Sequence, residues 1–225
     1  MKFFLISLIL LSSTLVAEVV PKWAQMQTAI LVEPDLIKIK NLVVSGFDPN
    51  SSIGCGTFAP LNGAIHKQNS ALVDLLISLG AKPTEEQMVE AAFCSNHEEA
   101  LKILKSLHGA GAPVNSRDYY SGDKNLCSMP LHKAVWRHNT ELIAYLLKQE
   151  GVELDEENVD GYTPLMIAVA DGREDIANML LNAGADPLKK NAKGLDATAV
   201  ANQVIETQIR LRTKLSLSSK TLGLN

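Results

Sequence analysis

Apolar positions along this chain fall into short blocks with helical spacing. Ile176, Met179 and Leu180 recur at intervals of three and four, which places them on one face of a helix. Leu142 to Leu147 and Leu72 to Ile77 form similar blocks. Trp23 to Val32 and Leu36 to Val44 read as two helices divided at Pro34. Gln87 to Ala92, then Ala100-Leu101 and Ile103-Leu104, supply another pair. Each block closes on a glycine, at Gly46, Gly80, Gly111, Gly151 and Gly184, with intervals of 34, 31, 40 and 33 residues. Glycine commonly ends a helix because it adopts the left-handed conformation without a Cβ clash. The 40-residue interval places an insertion between Ser116 and Cys127.

The opening of each unit repeats as well. Thr163-Pro164-Leu165-Met166-Ile167-Ala168 follows Asp160-Gly161-Tyr162, and Met129-Pro130-Leu131-His132-Lys133-Ala134 stands 34 residues earlier. Ala59-Pro60-Leu61-Asn62-Gly63-Ala64 is an earlier copy, and Gly194-Leu195-Asp196-Ala197-Thr198 a later echo. Thr163 suits the cap of a helix, and Pro164 the first helical position, where no amide hydrogen is needed. Met129 is a poorer cap. Leu165 and Ala168 share one face, and the small Ala lets a neighbouring helix approach closely.

A unit of this length that opens on T-P-L-H-x-A resembles the ankyrin repeat. The resemblance spans about residues 22–215. It implies an all-α solenoid of about five to six helix-turn-helix repeats with β-hairpin fingers. The repeats are expected at 22–49, 57–84, 85–115, 127–155 and 161–190, with a polar terminal cap at 194–215 and a flexible tail at 216–225. It also implies a binding scaffold whose concave surface combines the fingers with the exposed end of each first helix. In this sequence those positions are His66 and Lys67, then Cys94 and Ser95, Trp136 and Arg137, and Ala170 and Asp171. Trp and Arg are both enriched at the centres of interfaces, which singles out Trp136 and Arg137. Tyr119 and Tyr120 of the insertion extend the same patch. The competing reading has Trp136 packing beneath that inserted loop. His132 occupies the histidine position of the motif, where it ties loop to helix.

The search for chemistry yields little. Cys94 and His97 stand three apart on a helix, a spacing that brings a base near a thiol, but His97 also fits a structural position of the repeat. The histidines and cysteines show no metal-ligand spacing, so no metal and no cofactor is expected. Asp155-Glu156-Glu157-Asn158-Val159-Asp160-Gly161 is acidic, but Val159 and Met166 occupy positions that a calcium loop reserves for ligands. It reads as a solvated acidic finger that steers a basic partner. Gly54-Cys55-Gly56 lacks the third glycine of a dinucleotide loop. Asn50-Ser51-Ser52 matches a glycosylation acceptor.

At the N-terminus, Lys2 precedes an apolar run from Phe3 to Leu11, interrupted only by Ser7, then three hydroxyl residues and Ala17. This order predicts a secretory signal peptide at 1–17, cleaved before Glu18. The rival is a retained anchor, which needs about 18 or more apolar residues. Export to the periplasm is expected first and secretion second. In an oxidising compartment the three cysteines Cys55, Cys94 and Cys127 predict one disulfide and one free thiol, with three buried thiols as the alternative.

Composition narrows the function classes. The chain has 21 basic and 25 acidic residues of 225, a net charge of −4, which gives no long-range attraction to nucleic acid. Aromatics make up 5%, consistent with helices rather than a β-sandwich. The chain is therefore expected to be a non-enzymatic module, monomeric on its own, that binds another protein. Signal-bearing bacterial ankyrin proteins, which it resembles, include toxin-neutralising immunity proteins and stress-defence accessories. The alternatives are an envelope thiol or redox protein using Cys94, and a structural spacer.

Overall fold

The computed structural model describes residues 20–32, 34–51, 59–117 and 128–206. These are helical throughout, in five antiparallel pairs. The pairs are α1 (Lys22–Leu31) with α2 (Leu36–Val44), α3 (Pro60–His66) with α4 (Ser70–Ser78), and α5 (Glu85–Ala92) with α6 (His97–Gly109). They continue with α7 (Pro130–Trp136) and α8 (Thr140–Leu146), then α9 (Pro164–Ala170) and α10 (Glu174–Ala183). A further helix, α11, occupies 197–206. The first helices stack in series, α1 on α3, α5, α7 and α9, and the second helices form a parallel outer layer. The core runs continuously between the two layers, through Met26, Ile30, Leu61, Ile65, Leu72, Leu76, Met88, Leu104 and Leu107.

Local chemistry explains the element boundaries. Asp35, Asn69, Asn96 and Asn139 each precede a second helix, and each side chain accepts the amide hydrogen three residues on, at 2.9–3.1 Å. Thr163 caps α9 in the same way, at 3.2 Å from Met166 N, whereas the Met129 side chain caps nothing. All five terminal glycines have φ between +73° and +103°. At Gly184, the left-handed residue that closes α10, φ is +103°, a conformation that strains any residue with a Cβ.

The third repeat begins two residues ahead of the Gln87–Ala92 block, within the bounds expected for it. Its first helix starts at Glu85, where Thr84 and Gln87 form a reciprocal capping box. In this repeat twelve residues separate the caps Thr84 and Asn96, against ten between Met129 and Asn139.

The fingers are tight turns without a strand ladder among the described residues. Asn158 N–H donates to Tyr162 O at 2.9 Å, and Asn191 N–H to Leu195 O at 2.9 Å, 33 residues later. The acidic finger is open to solvent and is also bonded to its neighbours. Asp155 accepts Asp186 N–H at 2.9 Å, Glu157 accepts Ala192 N–H at 3.1 Å, and Glu156 lies 3.5 Å from Arg117. These carboxylates bond amides and a cation of adjacent segments. Asn50 is committed too, donating to Gly80 O at 3.0 Å and accepting Lys82 N–H at 2.8 Å. Asn115 repeats that clamp on Gly151 and Glu153. His132 is buried, accepting Met129 N–H at Nδ1 and donating from Nε2 to Glu156 O at 2.9 Å, and so joins loop to helix.

Candidate functional site

The inner ends of α3, α5, α7 and α9 form one edge of the solenoid. Counting back from the caps of the second helices aligns His66, Phe93, Trp136 and Ala170, followed by Lys67, Cys94, Arg137 and Asp171. The longer third repeat shifts its register by one residue from the sequence expectation, which put Cys94 and Ser95 in these places. Phe93 is the residue that shift concealed. Its signal was the Asn96 cap, since counting backward from it lands on an aromatic.

Phe93 and Trp136 stack across the junction of the third and fourth repeats, with ring centroids 5.1 Å apart and planes at 15°. Both remain open to solvent, at 43% and 53% exposure. Two cations accompany them. Arg137 lies 5.3 Å from the Phe93 ring and 5.9 Å from the Trp136 ring, and Lys133 lies 5.5 Å from Phe93. Such contacts hold the cations over the ring faces while leaving their polar ends able to bond. Trp136 thus packs on Phe93 of the preceding repeat and is half open.

Beside the stack is a recess of about 250 Å³, with Ile65 and Cys94 on its floor and His66, Glu90, Phe93 and Arg137 around it. Arg137 Nε is buried at its edge, with no hydrogen-bond partner among the described residues. Burial, reinforced by Glu86, holds the Glu90 carboxyl above the usual carboxylate range, and His66 opposes that shift. Cys94 is a free thiol, 8% exposed, with its sulfur 3.7 Å from Ile65 O. Burial and then Glu90 push its pKa up to about 11, with Arg137 acting against them. A thiol nucleophile needs the opposite environment. Among the described residues, no group of three acidic, His or Cys side chains is placed to hold a metal.

The other expected binding residues are spread along the same edge. Lys67 caps α3 and is exposed. Ser95 exchanges hydrogen bonds with Gln68 at 3.0–3.2 Å, and Asp171 pairs with His138 at 3.2 Å, so both join turns of successive repeats. Tyr119, Tyr120, Cys55, Cys127 and the segments 1–17 and 216–225 lie outside the described residues.

A family model described as ankyrin repeats, in three copies, matches residues 91–191. The described solenoid has the ankyrin-repeat fold. Among curated relatives, the nuclear factor NF-kappa-B p105 subunit of Gallus gallus is 35% identical over 130 residues, covering 58% of this chain and 12% of that protein. Protein phosphatase 1 regulatory subunit 27 of Mus musculus is 41% identical over 64 residues, 28% of this chain and 41% of that one. This chain thus spans only a fraction of the relatives it matches. The crystal structure of EF0377, an ankyrin repeat protein, has a TM-score of 0.67 at 22% identity, covering 84% of this chain and 96% of that one. The ankyrin repeat domain of Bcl-3 gives 0.65 at 22%, covering 83% and 85%. These likenesses establish the fold. Ankyrin repeats generally mediate protein–protein contact, and the fold is typically a scaffold rather than a catalyst. No helix among the described residues is long and apolar enough to cross a membrane.

Proposed function

We propose that this chain is an exported protein-binding module that grips its partner at the junction of the third and fourth repeats. One observation carries the reading: two stacked aromatic rings, Phe93 and Trp136, stand half exposed on the concave edge with cations over them. Buried apolar contact at such a ring pair supplies affinity, and the flanking cations supply orientation. One relative is by name a regulatory subunit of a phosphatase, and attachment without catalysis fits this chain as well. The charged, apolar and small-residue order of residues 1–17 supports export to the periplasm. Toxin neutralisation and stress defence are the two roles in view. Tight capture of a single partner marks the first, and peroxide sensitivity on deletion marks the second.

The test is affinity capture from a cell-envelope extract, with wild-type chain and the double variant Phe93→Ala, Trp136→Ala matched for thermal stability. The expected result is one protein held by the wild type and lost at least about tenfold in the variant. Equal recovery by both baits would sink the reading. N-terminal sequencing of the exported chain is expected to begin at Glu18, and an intact Met1 would overturn the cleavage.

A further inference from the structure

We propose that the partner presents an acidic–apolar segment, with an Asp or Glu carboxylate on Arg137 and an adjacent aromatic or aliphatic side chain on the Phe93–Trp136 stack. This rests on the binding reading above and deepens it. The chemistry of the face selects the occupant. The rings leave apolar area open, which an apolar side chain covers favourably. Arg137 and Lys133 already lie over Phe93, so a basic segment approaching the same rings meets like charge.

Arg137 provides the polar half of the match. Its Nε is buried without an acceptor among the described residues, and a buried donor left unsatisfied is unfavourable. Arg137 also lines the recess of about 250 Å³ beside the stack, where a side chain of the partner can enter. A carboxylate suits the planar guanidinium fork best, because it accepts two parallel hydrogen bonds. Glu90 is the one carboxyl that also lines this recess. The two cations over Phe93 stand out in a chain of net charge −4, which as a whole does not attract acidic segments.

The test uses the full chain and three fluorescein-labelled synthetic peptide mixtures of equal length. Each centres on Leu or Phe, flanked by Asp and Glu, by Lys and Arg, or by Ser and Gly. Fluorescence anisotropy is expected to show the acidic mixture binding at least tenfold tighter than the other two, and weakening as salt rises. Arg137→Gln is expected to lose about tenfold or more of that binding, and Arg137→Lys not to restore it. Circular dichroism melts check that both variants are folded, and Lys133→Gln provides a milder second variant if they are not. Preference for the basic or neutral mixture, lost with Phe93→Ala, would overturn the acidic assignment and leave the binding face standing. No binding by any mixture, or binding indifferent to Phe93→Ala and Trp136→Ala, would overturn both.

Discussion

The finger line from the fourth to the sixth repeat and the concave junction of the third with the fourth use similar residues to opposite ends. Along the fingers, polar side chains are consumed within the fold. Asn158 accepts the amides of Asp160 and Tyr162, and Asn191 accepts those of Lys193 and Leu195 while donating to Gly161 O at 2.6 Å. Asp155 and Glu157 close the gaps between adjacent turns. At the concave junction, rings meet without being covered, and a buried guanidinium nitrogen has no acceptor among the described residues. The fingers follow the repeat closely, whereas the junction departs from it through the long third repeat. In a repeat fold, regular polar positions are those that neighbouring units satisfy. Unsatisfied groups at an irregular step are what a partner can use.

The sharpest break of this contrast is at His132. His132→Ala leaves Glu156 O and the buried Met129 N–H without this partner and opens a cavity beside the α7 cap, for a loss of about 3 kcal/mol. Trp136→Ala, four residues on, is expected to cost under about 1 kcal/mol, because half of the ring is already in water. Urea denaturation of the two variants checks the pair, and equal losses would erase the distinction between structural and binding positions. Asn191→Ala is the next largest, at about 2 kcal/mol, since it removes three hydrogen bonds from a buried side chain. Ser95→Ala, at an exposed turn, is expected to stay within about 0.5 kcal/mol of wild type by the same measurement.

Much of this architecture was legible beforehand because the signals were local and redundant. The α2 boundaries, the Thr163 cap and the left-handed Gly184 each follow from a short motif whose physics is confined to one turn. The third repeat was harder because its opening lacks the Thr-Pro pair. Thr84-Glu85-Glu86-Gln87 states the same boundary through a capping box, and the two extra residues before Asn96 moved an aromatic into the concave line. Pairings between repeats were beyond sequence reasoning. Nothing local in Asp155 or Glu157 shows that the amides of Asp186 and Ala192 stand opposite. Nor does the sequence show that Asp171 and Ser95, expected at the binding edge, also bond turns of the preceding repeats.

A smaller effect sharpens the account of how successive repeats are joined. Glu99 accepts Ser70 N–H at 2.9 Å across two repeats, and that bond, with help from Lys102, holds its carboxyl below the usual range. A depressed carboxylate contributes stability that is present above its unfolded pKa and lost as pH falls through the folded value. Glu99→Gln is therefore expected to cost about 1 kcal/mol near pH 7, with the two stability curves converging as pH falls below 4.5. Thermal melts across that range check it, and a gap that persists undiminished into acid would assign the loss to packing instead.

A change at Cys94 tests whether the concave recess is a binding surface or a thiol centre. Removing this buried sulfur as Cys94→Ala is expected to cost about 1 kcal/mol or less. The thiol pKa is raised from 9.0 to about 11, so at pH 8 the thiolate population is about a hundredfold below that of an ordinary cysteine. Reaction of Cys94 with a disulfide reagent, followed in a chain whose other two cysteines are changed to Ser, is expected to be slower by at least that factor than in the denatured chain. A raised thiol pKa contributes stability that is full below pH 9 and declines as pH rises through about 11. Phe93→Ala should speed the reaction by uncovering the recess that Phe93 helps to enclose, with little change in melting temperature. Rapid modification of the folded wild type near neutral pH would reverse the assignment. It would make Cys94 the reactive group of this edge and reduce the aromatic pair to its shelter.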